Sequence, residues 1–211
     1  MHMKFIFTFL FTIIFLSQLK SQTFDFYKDY YRVLNETQDH NSDFYFNTLL
    51  FKFNNDIELN KNECVALIVG AGIYEISYNN TVDDFEIEIK DLISKGEYEN
   101  VIYLSDYCLS IFPLSLTAIF GKMLAFRNIR NYCKADFYSR QANVICRGIY
   151  NSGTGDIKMP RLGLNVNNID IYNNEYSKTK GLVYKKSKTD ENGCLFLFYE
   201  KERNIEHFII S

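Results

Sequence analysis

A 34-residue spacing between two similar segments constrains this 211-residue chain more than any other feature. Tyr98 and Val101 belong to the first segment, and Tyr132 and Ala135 occupy the same positions in the second. Thirty-four residues is the period of the tetratricopeptide repeat, whose unit is a pair of helices. Because one pair cannot bury its apolar stripe alone, the spacing predicts stacked helix hairpins over residues 83–150.

The first 21 residues have the layout of an export signal. Phe5–Leu16 is an apolar run of 12 residues, with Lys4 before it and a more polar stretch after it. At 1.5 Å per residue a helix of this length is too short to span a bilayer. The layout is typical of a secretory signal peptide cleaved after Ser21; a retained signal anchor is the alternative. We expect the mature chain, residues 22–211, to be periplasmic or secreted, with no stable membrane span.

Charge gives no support for nucleic-acid binding. The chain has 23 basic and 26 acidic residues, for a net charge of −3, and no nucleic-acid partner is predicted. One basic stretch, Lys178–Lys188, is partly offset by Asp190, Glu191 and Glu200. We interpret it as the solvated face of a strand.

The cysteines follow no metal-binding or redox spacing. An odd number leaves at least one thiol unpaired, and we expect mostly buried thiols. A nucleophilic pair of Cys194 and His207 is compatible with the sequence, but Cys194 begins an apolar strand that would not stabilise a thiolate. We predict no catalytic residue, no metal site and no cofactor. The five cysteines are Cys64, Cys108, Cys133, Cys146 and Cys194.

Residues that start or stop helices divide the first 151 positions. A first helix is expected over Asp25–Glu36, and the apolar run Cys64–Tyr74 is expected to be a buried helix. The signal peptide, 1–21, is then followed by a helical region, 22–151. The expected helix caps are Ser42, Asn60 with Glu63 in a capping box, Gly96 and Ser115.

Beyond Asn151 the apolar residues recur with a period of two. Leu164–Ile171 is predicted to form one or two short strands, and Asn192-Gly193 is a strong hairpin signal between two further strands. Residues 152–211 contain too few strands to form a stable domain alone, so we expect them to pack on the helices. The predicted class is α+β: mostly helical, with tetratricopeptide-like hairpins followed by a small antiparallel strand-rich section.

Several segments together resemble a known family. They run from residue 26 to residue 160, and the likeness after Pro160 is loose. On these residues the chain resembles domain of unknown function 4919, an uncharacterised family found mainly in Bacteroidota. The resemblance implies a signal peptide, helices similar to tetratricopeptide repeats and a strand-rich end, and it brings no known activity. The matching pieces are Asn35–Tyr45, Leu49-Leu50, the run ending near Tyr74, Tyr78-Asn79, Lys95–Tyr98, Pro113, Ser152–Asp156, Lys158 and Pro160.

Stacked helix pairs present concave surfaces, so the first hypothesis is a non-catalytic scaffold of the bacterial cell envelope that binds a protein or peptide partner. Two alternatives are a structural envelope component that self-associates and an envelope enzyme with a site near Ser152–Asp156. The first helix of each pair should line the concave face. The candidate partner-binding residues are Glu86, Lys90, Phe120 and Arg127.

Overall fold

The computed structural model describes residues 24–75, 80–177, 182–189, 195–201 and 204–210. The predicted export signal, the Asn192-Gly193 turn and Cys194 lie outside these ranges. Among the described residues, no helix is long and apolar enough to cross a membrane. The part of the chain that the structure describes has seven helices before the sheet: α1 (Phe26–Gln38), α2 (Phe46–Asn54), α3 (Lys61–Glu75), α4 (Asn80–Lys95), α5 (Tyr98–Ile111), α6 (Leu116–Asn128) and α7 (Tyr132–Asn151).

The predicted capping box at the start of α3 is confirmed. Asn60 Oδ1 accepts hydrogen bonds from the backbone N–H groups of Asn62 and Glu63, at 2.9 and 3.0 Å. Glu63 Oε2 in turn accepts the backbone N–H of Asn60 at 2.7 Å. These bonds satisfy N–H groups that a helix start otherwise leaves unpaired.

Two further expected helix ends are confirmed and one is wrong. Ser115 Oγ accepts the N–H of Ala118 at 3.1 Å and caps α6. Gly96 has φ of +73° where α4 ends, a conformation that costs glycine little. Ser42 does not cap a helix, because α2 begins only at Phe46; its Oγ accepts the N–H of Phe44 inside the preceding turn.

The 34-residue spacing corresponds to equivalent positions in two helix pairs. Tyr98 is the first residue of α5, and Tyr132 is the first residue of α7. Val101 and Ala135, three residues on, are both buried. Helix α6 packs against α4, α5 and α7, so the pair α4–α5 packs directly on the pair α6–α7.

Helices α3 and α7 pack closely, and glycine makes the approach possible. A Cβ atom at Gly148 would lie 2.4 Å from Ile68 Cγ1 and 2.7 Å from the backbone oxygen of Cys64. A Cβ atom at Gly70 would in the same way lie 2.4 Å from the ring of Phe46 on α2. A side chain at either position would force the helices apart.

The described strands of the C-terminal section are β1 (Arg161–Leu162), β2 (Val183–Thr189), β3 (Leu195–Lys201) and β4 (Asn204–Ile210). They form a sheet of order β1-β4-β3-β2. The predicted pairing of β2 with β3 is confirmed, and β4 also pairs with β3 antiparallel. Because β1 pairs with β4 in parallel, the sheet is mixed.

The prediction of strands over Leu164–Ile171 is wrong. Residues Val166–Ile171 form a short helix, α8, continued by a π-helical turn over Tyr172–Tyr176. Asn165 Oδ1 accepts the backbone N–H of Asn168 at 2.7 Å and caps α8. The period of so short an apolar run does not distinguish a helix from a strand. The Asn165 cap stabilises the start of the helix that forms.

One core joins the helices and the sheet. Leu162, Ile169, Tyr172 and Phe208 from the C-terminal section are buried together with the apolar side chains of the helical region. The α+β class is confirmed: the strand-rich end packs on the helices, as expected for a sheet too small to be stable alone.

Candidate functional site

A buried carboxyl group lies where α4, α6 and α8 meet. Glu86, on α4, is fully buried. Ser115 Oγ donates to Glu86 Oε1 at 2.5 Å, and Asn165 Nδ2 donates to Oε2 at 3.4 Å. Burial raises the pKa of Glu86, although the hydrogen bonds from Ser115, Asn167 and Asn165 act in the opposite direction.

A second buried polar group fastens the start of α8 to the start of α6. Asn168 Oδ1 accepts the backbone N–H of Leu116 at 2.8 Å, and its Nδ2 donates to the backbone oxygen of Leu114 at 3.4 Å. Asn168 is fully buried. Its amide therefore satisfies backbone groups at the N-terminus of α6 that would otherwise be orphaned away from water.

Two of the remaining residues predicted to bind a partner, Lys90 and Arg127, interact with the same C-terminal segment. Lys90 Nζ donates to Asn167 Oδ1 at 2.5 Å. Arg127 is exposed near the end of α6, and its positive charge opposes the rise that burial causes in the pKa of Tyr176. Phe120 is half-buried on α6.

Three of the four predicted residues thus interact with segment 165–176 of their own chain. Glu86 and Lys90 are brought together through neighbouring asparagines of that segment, whereas Arg127 acts on its far end at Tyr176. The face formed by α4 and α6 is occupied by α8 and the residues beside it. Whether any of the four binds a partner stays a prediction.

The junction between α7 and the sheet gathers polar groups, as the enzyme alternative requires. Arg161 and Glu206 form a buried ion pair, and the Arg161 guanidinium lies 5.2 Å from the ring centre of Tyr150. Gly155 has φ of +84°, and its carbonyl oxygen accepts the backbone N–H of His207 at 2.9 Å. A Cβ atom at Gly155 would lie 2.6 Å from Arg161 Nη1, so glycine leaves room for the ion pair.

Most of these junction groups already serve the turn itself. Ser152 Oγ accepts the backbone N–H of Leu162 at 2.8 Å and donates to the backbone oxygen of Ile149 at 2.7 Å. The Thr154 hydroxyl and the backbone N–H groups of residues 158 and 159 bond to Asp156 and lower the pKa of its carboxyl group. Within the described residues Arg161 Nε has no hydrogen-bond partner. The arrangement fits a structural turn better than a reacting centre.

Three thiols are too deeply buried to act as nucleophiles. Burial raises the pKa of Cys64 and of Cys108 to about 11, and it raises that of Cys146 as well. The nucleophilic species is the thiolate, which these groups do not supply at neutral pH. Cys133 is exposed. Among the described residues, no group of three His, Cys, Asp or Glu side chains is placed to hold a metal ion.

An exposed aromatic row runs along α5. Tyr103 and Tyr107 are 78% and 52% exposed, and Ile111 follows one turn later at 43%. Residues four apart lie on the same side of a helix. The ring of Phe85 on α4 meets that of Tyr107 edge-to-face at 5.1 Å. We call Tyr103, Tyr107 and Ile111 the tyrosine row.

A family model described as a domain of unknown function, DUF4919, matches residues 32–202. The chain belongs to the DUF4919 family. The matched range contains both helix pairs, the Glu86 cluster and the tyrosine row. No curated protein matches the chain, and no solved structure matches it.

Two clefts of this DUF4919 protein each contain an arginine that already pairs with carboxylate groups. One, of about 220 Å³, lies between α1 and the start of α3, and its Arg32 bonds to Asp29 and Glu36. The other, of about 300 Å³, lies beside α7, where Arg140 Nε donates to both carboxylate oxygens of Asp56 at 2.9 Å. Pairing leaves these guanidinium groups little capacity for an added anion.

The asparagines of segment 165–168 are the polar residues that sequence reasoning missed. One signal was present, because Asn165 precedes Asn168 by three residues, which is the spacing of a helix N-cap and the N–H it accepts. Nothing in the sequence showed that Asn168 reaches Leu116, 52 residues away.

Proposed function

We propose that this DUF4919 protein is an exported, non-catalytic protein-interaction scaffold of the bacterial cell envelope, and that it engages its partner through the tyrosine row. The export segment predicted from residues 1–21 supports the location. The helix pairs support the class of molecule, because stacked pairs commonly act as binding surfaces. The exposed row on α5 is the observation that carries the proposal.

The inner face of the helix pairs is a weaker candidate for the binding surface. Glu86 is fully buried, and its carboxylate bonds to Ser115 and Asn165. A partner that reached this face would have to displace α8, whose Ile169 and following Tyr172 belong to the core. Displacement would break buried hydrogen bonds and expose apolar surface, both of which cost free energy.

The tyrosine row has the chemistry of an interface. Tyrosine is enriched at the centres of protein interfaces, because its ring buries a large area while its hydroxyl remains satisfied. Two such rings one turn apart, with Phe85 packed against Tyr107, provide the closely spaced aromatic anchors that dominate binding energy in many complexes.

The alternative is a structural envelope component that self-associates through the same row. A row of aromatic and aliphatic side chains can serve as a self-complementary patch in a twofold dimer. Tyr103 and Tyr107 from two copies would then stack against each other. The site of contact is the same in both proposals, so the identity of the bound molecule distinguishes them.

The test replaces Tyr107 with the photocrosslinking residue p-benzoylphenylalanine in the full-length chain in its native host. Tyr132, which is 60% exposed at the start of α7, receives the same residue as the matched control. After irradiation, the crosslinked species are purified from envelope and secreted fractions and identified by mass spectrometry.

A heterologous protein crosslinked from position 107 but not from position 132 supports the scaffold. Crosslinks between two copies of the chain from position 107 support the self-associating component instead. Equal patterns from both positions, or no crosslink from position 107, overturn the assignment of the row. Recovery of the chain only from the cytoplasmic fraction overturns the export.

A further inference from the structure

The strand β2 leaves an open edge on the sheet. It lies at the end of the strand order, and all seven of its residues are exposed. Within the described ranges its backbone pairs with β3 only, so the hydrogen-bonding groups along its outer side have no strand beside them. Such an edge is a template for an added strand.

A bulge concentrates positive charge on one side of this edge. Tyr184 pairs with Tyr199 and Lys186 pairs with Phe198, so the register skips Lys185. Two residues of a bulged strand oppose one residue of its neighbour, which changes the usual alternation of faces. We define the lysine edge as Lys185, Lys186 and Lys188.

Contacts of the side chains show that the lysine edge faces away from the core. Lys186 Nζ lies 5.1 Å from the ring centre of Phe198, whose ring meets that of His207 at 5.0 Å. Lys185 Nζ lies 3.8 Å from Glu200 Oε2, an exposed ion pair that contributes little to stability. The other side of β2 carries Tyr184, whose ring packs 5.8 Å from that of Tyr199.

We propose that an acidic, extended peptide segment of another protein binds by adding as a strand along β2, with its carboxylates against the lysine edge. Lys186 and Lys188 are two residues apart on one face, a separation of about 6.6 Å along a strand. Acidic residues at alternate positions of an added strand have the same spacing. Main-chain hydrogen bonds would supply affinity, and the charge pairs would supply specificity.

Charge complementarity selects this occupant over a second copy of the chain. Lysines on an edge strand discourage pairing between identical strands, because like charges then lie side by side. The seven residues of β2 include three lysines and no acid, so two β2 strands would oppose each other. This inference rests on the sheet edge alone and stands independently of the tyrosine row.

Binding is measured by fluorescence anisotropy with the mature chain and a labelled eight-residue peptide in which Glu and Val alternate. Two further probes separate charge from strand addition. One is the same peptide with alternate backbone nitrogens methylated, which keeps the charge but removes hydrogen-bond donors. The other is dextran sulfate, a polyanion that cannot add as a strand.

The variant Lys185→Glu/Lys186→Glu/Lys188→Glu is expected to weaken peptide binding about tenfold or more, because charge pairs across an edge become repulsive. The matched control, Lys28→Glu/Lys95→Glu/Lys134→Glu, changes the net charge equally at exposed lysines on helices and should bind as the unmodified chain does. Circular dichroism verifies that both variants are folded.

Loss of binding on methylation, together with loss in the lysine-edge variant alone, supports strand addition. Equal binding of the methylated peptide, or equal weakening by the two triple variants, overturns it. Dextran sulfate that competes fully, while methylation has no effect, assigns the lysine edge to anionic polymers and also overturns the peptide proposal.

Discussion

Two polar surfaces of this protein differ in whether the chain itself covers them. The inner face of α4 and α6, where sequence reasoning places a partner, is filled by the chain's own segment 165–168. Strand β2, which the sequence predicts to have a solvated face, lies at the outer edge of the sheet, and all seven of its residues are exposed. A polar helix face is therefore not by itself evidence of an exposed binding surface, because another segment of the same chain can cover it.

The difference follows from what each region needs for stability. A short stack of helix pairs leaves apolar and polar groups uncovered, and the C-terminal section covers them with Ile169, Asn165 and Asn168. The sheet is held to the core by buried side chains of its inner strands, among them Tyr199 and Phe208. Its remote edge contributes little to the core and is left available to solvent.

The largest effect is expected from breaking the ion pair at the junction. Glu206→Ala leaves the guanidinium of Arg161 buried with its carboxylate partner removed, and should lower the free energy of unfolding by about 3–5 kcal/mol. Urea denaturation followed by circular dichroism measures the change. The buried pair would then be shown to hold the sheet on the helices.

Two variants in the same sheet test that interpretation. Glu200→Ala removes the exposed partner of Lys185 and should cost only about 0–1 kcal/mol. The double variant Arg161→Met/Glu206→Leu replaces both charges and should recover most of the loss. If Glu206→Ala and Glu200→Ala cost the same, the buried pair does not hold the junction.

A smaller effect is expected from the amide that joins α8 to α6. Asn168→Ala leaves the backbone N–H of Leu116 and the backbone oxygen of Leu114 without their partner, and should cost about 1–3 kcal/mol. Asn128→Ala, which removes an exposed amide bonded to the backbone oxygen of Leu124 on the same helix, serves as the control. A loss from Asn128→Ala as large as that from Asn168→Ala would contradict the argument from burial.

Sequence reasoning predicts local features of the helical region well. The capping box at Asn60, the cap at Ser115 and the glycine end at Gly96 each depend on a few neighbouring residues, and each is confirmed. The equivalent starts of α5 and α7 follow from the 34-residue period. Family membership follows from residues 26–160 as well.

The errors come from short local patterns, and the contacts that sequence reasoning missed join distant parts of the chain. Alternating apolar residues predict strands over segment 164–171, but the alternation covers too short a range to exclude a helix. The burial of Glu86 depends on Asn165, 79 residues later. Long-range pairings such as this one leave no periodic trace in the sequence, so the sequence alone does not show that segment 165–168 covers the predicted binding face.

The pH dependence of stability should differ between the buried Glu86 and the exposed Asp156. Burial raises the pKa of Glu86 above its ordinary value of 4.5, so the folded state favours the protonated form. The contribution of the Glu86 carboxyl group to the free energy of unfolding is complete below its unfolded-state pKa. It is lost as pH rises through its folded-state pKa. Relative to the unmodified chain, Glu86→Gln should therefore become more stable as pH increases above about 4.5.

Urea titrations of both proteins at intervals between pH 3.5 and 8 measure this difference. Glutamine suits the test because its carbonyl oxygen can accept the Ser115 hydroxyl, and the amide of Asn165 can rotate to face its amino group. A difference in unfolding free energy that stays constant with pH would show that Glu86 does not carry a raised pKa.

Asp156, in the exposed turn, should show the opposite sign and the smallest effect. Hydrogen bonds from Thr154 and from the backbone N–H groups of residues 159 and 158 lower the pKa of its carboxyl group below 3.8. Its contribution is present above the unfolded pKa and is lost as pH falls through the folded pKa. Asp156→Asn should be less stable than the unmodified chain near pH 7, and the difference should shrink toward acid pH.

Thermal melts across the same pH range test this, and a difference that grows toward acid pH would contradict the assignment. Opposite slopes for Glu86 and Asp156 would separate a carboxyl group enclosed by its own chain from one held at the surface.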